Sequence, residues 1–169
     1  MIIQDRMAAR IDGDFVLFLI GMRINRPWMV HKWLTSGQAM GRMLKELYAH
    51  PELGLMHHES WIGRTVLLVQ YWRSLDQLLA YAKDRDAAHL PAWADFYRRI
   101  GTDGTLGIWH ETYQVHAGQS EAIYVNMPAF GLGKAGHLVP ATGLKRGAAG
   151  RLGRTEPPQP EPVTYEQVR

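Results

Sequence analysis

Two runs with the alternating pattern of half-buried strands, LGLMHHESWIG (residues 53–63) and TVLLVQYWRS (residues 65–74), meet at Gly63-Arg64 with room for nothing but a turn. They predict an antiparallel hairpin, and a helical pattern stands on either side of it. Before the hairpin, NRPWMVHKWLTSGQAMGRMLKELYAHPE repeats Trp33, Met40, Met43, Leu44 and Leu47 at helical spacing; Pro27 suits its first turn and Pro51 ends it. Gly37 and Gly41 inside this run cost about 1 kcal/mol each relative to Ala, which points to close backbone packing or to a weakened middle. After the hairpin, Ser74 is placed as N-cap of LDQLLAYAKD. A second helical piece, 87–100, starts afresh near His89 to Pro91, because proline in a helix interior costs about 3 kcal/mol. Outermost lie two more strand runs, DFVLFLIGMRI (residues 14–24) after the turn signal Asp12-Gly13, and LGIWHETYQVHAG after the breakers Gly101, Asp103 and Gly104. The order β-α-β-β-α-β is that of the ferredoxin-like split βαβ unit, an α+β fold whose antiparallel sheet carries helices on one face only. The other face must be hidden or used, by a dimer or by a cavity.

At 169 residues the chain suits one domain with a real core, over 1–130, and an extended Gly/Pro-rich tail over 131–169. EAIYVNMP, just before the tail, reads as a short edge strand. The net charge of +3 comes from the tail, where Lys134, Lys145, Arg146, Arg151 and Arg154 have no acidic neighbour between Ala129 and Thr155. With the body balanced, nucleic acid is not the expected partner. The absence of cysteine excludes disulfides, thiolate metal sites and cysteine nucleophiles. MIIQDRMAARIDGDF lacks the apolar core of a signal peptide, and the longest apolar run, Phe15 to Ile20, is far short of the roughly 20 residues of a membrane span. A cytoplasmic location and no membrane partner are the expectation.

Chemistry has to come from eight histidines and a concentration of aromatics. No HExxH motif is present, and His57 and His58 fall on opposite faces of one strand; chelation would need His110 on a neighbouring strand, so no metal site is predicted. No GxSxG elbow and no GxxxxGKS/T loop occurs, and GLGKAG at 131–136 follows no strand of a βαβ unit, so neither a hydrolase nor a nucleotide site is indicated. In the last strand, alternation sets Ile108, His110 and Thr112 on one face and Trp109, Glu111 and Tyr113 on the other. His89, at the start of a helical piece, would be kept neutral by the helix dipole and stand near Trp93 and Phe96 as a general base or a haem ligand.

The element order, the segment VLLVQYWRSLDQLLAYAKDRDAAHLPAWADFYRR, and GIWHETYQV with EAIYVNMP together resemble the dimeric α/β-barrel superfamily and its antibiotic-biosynthesis-type monooxygenases. From about Arg10 to Leu132 the chain is similar to the monooxygenase-like family grouped with a fungal fumagillin-pathway monooxygenase. The resemblance implies monomers paired sheet to sheet as a homodimer, with a pocket between sheet and helices, and oxygenation of electron-rich aromatic substrates without a cofactor. It matches His89 to the iron ligand of the haem-degrading members, but where those carry a Trp ten residues earlier this chain has Leu79. The expectation is therefore a cofactor-independent monooxygenase acting on a small hydrophobic or aromatic molecule. His89, His58 and His110 are its catalytic candidates, with Tyr71, Trp93, Trp109 and Tyr113 as substrate-binding walls. A haem- or small-ligand-binding protein on the same scaffold is the alternative.

Overall fold

In the computed structural model, which describes residues 1–84, 94, 98 and 103–154, four strands form one antiparallel sheet. They are β2 (Phe15–Ile24), β3 (Leu55–Trp61), β4 (Thr65–Trp72) and β5 (Leu106–Val115), ordered β3-β4-β2-β5. This is the ferredoxin-like arrangement: the hairpin β3–β4 is made by the Gly63-Arg64 turn, and the first strand is inserted beside its second arm. The sheet's helical layer contains α1 (Val30–Ala49) and α2 (Leu75–Lys83). Of the second helical piece expected over 87–100, only Ala94 and Arg98 are among the described residues, and both are helical. His89 and Trp93 lie outside the described residues.

Local chemistry sets the boundaries. Ser74 caps α2 by accepting the Gln77 N–H at 3.2 Å, as its position before the periodic run predicts. α1 starts three residues later than Pro27 suggests; the Pro27 carbonyl instead accepts the Trp33 indole N–H at 2.9 Å. Among the described residues a methyl placed on Gly37 or Gly41 would touch nothing, so close packing within them is not the reason for these glycines. α1 meets the sheet tightly toward its C-terminal end, where Leu47 joins Val16, Leu55, Trp72, Leu78 and Tyr81 in the main core.

A second, smaller sheet arises from the two ends of the chain. β1 (Met7–Arg10) lies between β6 (Ile123–Tyr124) and β7 (His137–Pro140). The lead-in before residue 12 thus carries a strand, and the EAIYVNMP strand pairs with it instead of extending the main sheet. The first part of the expected tail turns back as well: after one helical turn at Leu132–Ala135, β7 pairs antiparallel with β1. No helix among the described residues is long and apolar enough to cross a membrane.

Candidate active-site cavity

Between α1 and the sheet, toward the helix N-terminal half, the layers stand apart around a cavity of about 740 Å³. Strand alternation supplies its floor from the central strands: Phe18, Ile20 and Met22 of β2, with Val66, Leu68 and Gln70 of β4. β5 adds Ile108, His110 and Thr112. α1 forms the opposite wall with Met40 and Met43, flanked by His31, Lys32 and Thr35 nearer its start; Leu78 and Tyr81 of α2 close one end. Flexible methionines on an apolar wall fill irregular space and adapt to what enters it. The His110 ring stands 5.6 Å from that of Phe18, tilted by 40°. Lys32 is ion-paired with Asp103, and this hydrogen bond holds the Asp103 carboxyl well below the usual carboxylate range.

Gln70 is the buried polar member of the floor, only 4% exposed. Its carbonyl oxygen accepts the indole N–H of Trp72 at 2.9 Å. Trp72 is itself 1% exposed.

The sequence candidates divide between the two sides of the sheet. His110 lines the cavity. His58 does not, although it shares the helix-side face. Leu55 pairs with Trp72 and His57 with Tyr71, so Met56 is an extra residue and the alternation slips. Leu55 and His58 therefore share a face, whereas His57, Glu59 and Trp61 take the other. Plain alternation along LGLMHHESWIG would put Leu55 on the same face as His57, and the extra residue breaks it. On that inner face the Nδ1 atom of His58 lies 2.7 Å from the Tyr48 hydroxyl, which also accepts the His58 backbone N–H at 3.2 Å. Burial, with the neighbouring His57, pushes the His58 pKa down. β3 and β5 are the two edges of the sheet, three strand spacings or roughly 14 Å apart. Neither His57 nor His58 can thus pair with His110. Among the described residues no three His, Asp or Glu side chains converge as a metal site.

Tyr71, Trp109 and Tyr113 point from the outer face and form no part of the cavity wall; their alternation partners Gln70, Trp72, His110 and Thr112 do. Trp109 lies flat over Gly21, its cross-strand partner, so closely that a Cβ there would come within 2.4 Å of the indole nitrogen. Tyr113 donates its hydroxyl to Glu111. Tyr71 lies under the returning segment, where its hydroxyl would be 3.0 Å from a Cβ on Gly131. That segment is anchored by Glu59, which accepts the Gly131 N–H at 3.1 Å, bonds His57 Nε2 at 3.0 Å and pairs with Lys134 at 3.4 Å. Burial opposes the Glu59 charge, but these partners outweigh it and hold the carboxyl below its ordinary value. The Tyr124 hydroxyl takes the next amide but one, Gly133 N–H, at 3.0 Å. The GLGKAG amides are thus used within the chain.

Gln70, His31, Lys32 and Thr112 are cavity residues that sequence reasoning missed. Gln70 had a readable signal: in TVLLVQYW it is the one polar residue on the line Val66, Leu68, Gln70, Trp72 that faces inward. His31 and Thr35 had only a one-turn spacing, which any helix surface supplies.

Sheet order, one-sided helices and a largely apolar cavity with a few polar groups define an α+β, ferredoxin-like protein built around a small-molecule-sized pocket. The Monooxygenase af470-like family matches residues 15–132, and the chain belongs to it. It is 27% identical over 131 residues to Monooxygenase af470 of Aspergillus fumigatus, a match covering 72% of this chain and 46% of that protein. The chain therefore spans about half the length of this curated relative. Among solved structures, a conserved Bacteroides thetaiotaomicron protein of unknown function, described as a possible oxidoreductase, is similar with a TM-score of 0.42 and 11% identity. That match covers 60% of this chain and 97% of the other.

Proposed function

We propose that this chain is a cofactor-independent monooxygenase of the cytoplasm, working as a homodimer on a small hydrophobic or aromatic molecule held between α1 and the sheet. The observation that carries the reading is the cavity of about 740 Å³, apolar along Ile20, Met22, Met40 and Met43 and carrying the His110 imidazole on its wall, in a member of a monooxygenase family. An imidazole at such a wall is suited to take a proton from an acidic C–H of the substrate. The carbanion so formed can hand electrons to dioxygen itself. A methylene then becomes a carbonyl, R₂CH₂ + O₂ → R₂C=O + H₂O, with all four electrons supplied by the substrate. His31 and His110 are also the imidazoles available to iron if haem is what the cavity holds.

The test is oxygen uptake by purified protein offered a panel of oxidisable polycyclic phenols and ketones, with its absorption spectrum recorded before and after adding haem. Uptake without added flavin or metal, reduced on the order of 100-fold in His110→Ala, is expected. Turnover lost in His89→Ala but kept in His110→Ala would move the base to His89. No uptake, with a saturable Soret band that disappears in a histidine variant, would overturn the oxygenase reading in favour of a haem binder.

A further inference from the structure

Gln70 is a buried amide with half of its hydrogen-bonding capacity committed and half uncommitted. An indole N–H can only donate, so the atom facing Trp72 Nε1 at 2.9 Å must be the Gln70 oxygen. The amide nitrogen is thereby turned elsewhere, and among the described residues nothing accepts from it. Nor is that nitrogen sealed in: among the described side chains, the fully enclosed polar atom without a partner is Thr105 Oγ1. As Gln70 is 4% exposed and lines the cavity, the uncommitted N–H groups open on the cavity. Leaving buried donors unpaired is costly, and a site that does so favours a ligand able to accept from them.

The register places this donor opposite the base. Gln70 pairs with Phe18, and Phe18 with Thr112, so the three form one row across the sheet; Ile20 and His110 form the next. Gln70 and Thr112 are two strand spacings apart, roughly 10 Å between backbones. A ring lying on Phe18 fills that gap, with Gln70 at one edge and His110 near the other.

We infer that Gln70, oriented by Trp72, donates a hydrogen bond to a carbonyl or phenolic oxygen of the substrate that is conjugated to the carbon losing its proton. The inference rests on the proposed reading of the cavity and adds its specificity. When His110 removes the C–H proton, the electron pair left behind delocalises onto the conjugated oxygen as an enolate. The Gln70 N–H is already placed to hold that developing charge. Trp72 is the positioning residue: its indole N–H fixes which end of the amide faces the cavity.

The experiment compares 9-fluorenone with fluorene, two rigid probes of the same shape that differ by a carbonyl oxygen, titrated into the native chain by calorimetry. Fluorenone is expected to bind about ten-fold more tightly than fluorene, and its bound carbonyl stretch to move to lower wavenumber. In Gln70→Glu, which keeps an oxygen for Trp72 and with its carboxyl ionised has no donor, the preference should vanish. Gln70→Met gives the same readout should the carboxylate variant fail to fold. Equal binding of the two probes to the native chain, or a fluorenone preference that survives both substitutions, overturns the role of Gln70 and leaves the cavity reading standing. Binding of neither probe overturns the cavity as a ligand site, and the proposed function with it.

Discussion

At the scale of single residues, the histidines separate by what surrounds them. His58 is held toward its neutral form by burial and by His57, and its ring is hydrogen-bonded to the Tyr48 hydroxyl. In the unfolded chain that ring takes up a proton near 6.5, in the folded chain only at lower pH. Its contribution to stability is therefore complete above 6.5 and declines as pH falls below that value toward the lowered folded pKa. Urea unfolding midpoints on the two sides of pH 6.5 should show this decline, and His58→Gln should flatten it. An unchanged slope would mean that the ring is not enclosed. His110, on the opposite sheet edge, faces the cavity instead and is where catalytic loss is expected. Trp109, which looks like a binding aromatic in sequence, covers the bare backbone of Gly21, a packing role that its neighbour His110 does not share.

Elements show where the chain left stability unused and where it secured its return. Gly41 in α1 is exposed and has open space where a Cβ would go. Gly41→Ala should stabilise the chain by about 1 kcal/mol, read as a raised unfolding midpoint; a loss would reveal a contact that the helix makes only in an assembly. Gly37, on the cavity wall, is the contrasting position, since a methyl there enters the pocket rather than solvent. The return of the chain over β3 and β4 depends on Glu59. Replacing it by Gln weakens three interactions at once, to His57, Gly131 and Lys134, at a cost of about 1–3 kcal/mol. Hydrogen exchange at the Gly131 and Gly133 amides should quicken in Glu59→Gln while α2 is unaffected. Uniformly faster exchange in both would make Glu59 a support of the whole fold rather than of this segment.

For the whole molecule, the outer face of the sheet is the surface whose partner decides the assembly. Its β3 and β4 part lies under Phe130, whose ring meets that of Trp61 edge-on at 5.9 Å, and Gly131. The half-buried Leu17 and Leu19 of β2 continue the same face toward Trp109 and Tyr113. If the proposed homodimer pairs through this part, Leu19→Lys should leave a monomer in sedimentation equilibrium, with His110 chemistry intact or reduced according to how far the cavity relies on the partner. A dimer indifferent to that charge would seat elsewhere.

The element order, the hairpin, the Ser74 cap and the inward placing of His110 were legible in the residues, because periodicity, turn chemistry and capping act over a few positions and leave their mark on neighbouring letters. The slip at Met56 was not: one extra residue in a strand is invisible until a partner strand shows which residues face each other, and it carried His58 to the inner side. Nor was the return of the tail, whose anchors Glu59 and Tyr71 lie far from Gly131 in sequence. By itself the sequence determined the strands and helices of the main sheet and its helical layer, and that one face of the sheet would carry the helices. The tertiary structure alone decided that α1 stands off the sheet, that Gln70 and His110 share the space left between, and that Tyr71, Trp109 and Tyr113 lie behind it. Those facts depend on strand register and interlayer distance, which are set by contacts between residues that no local pattern relates.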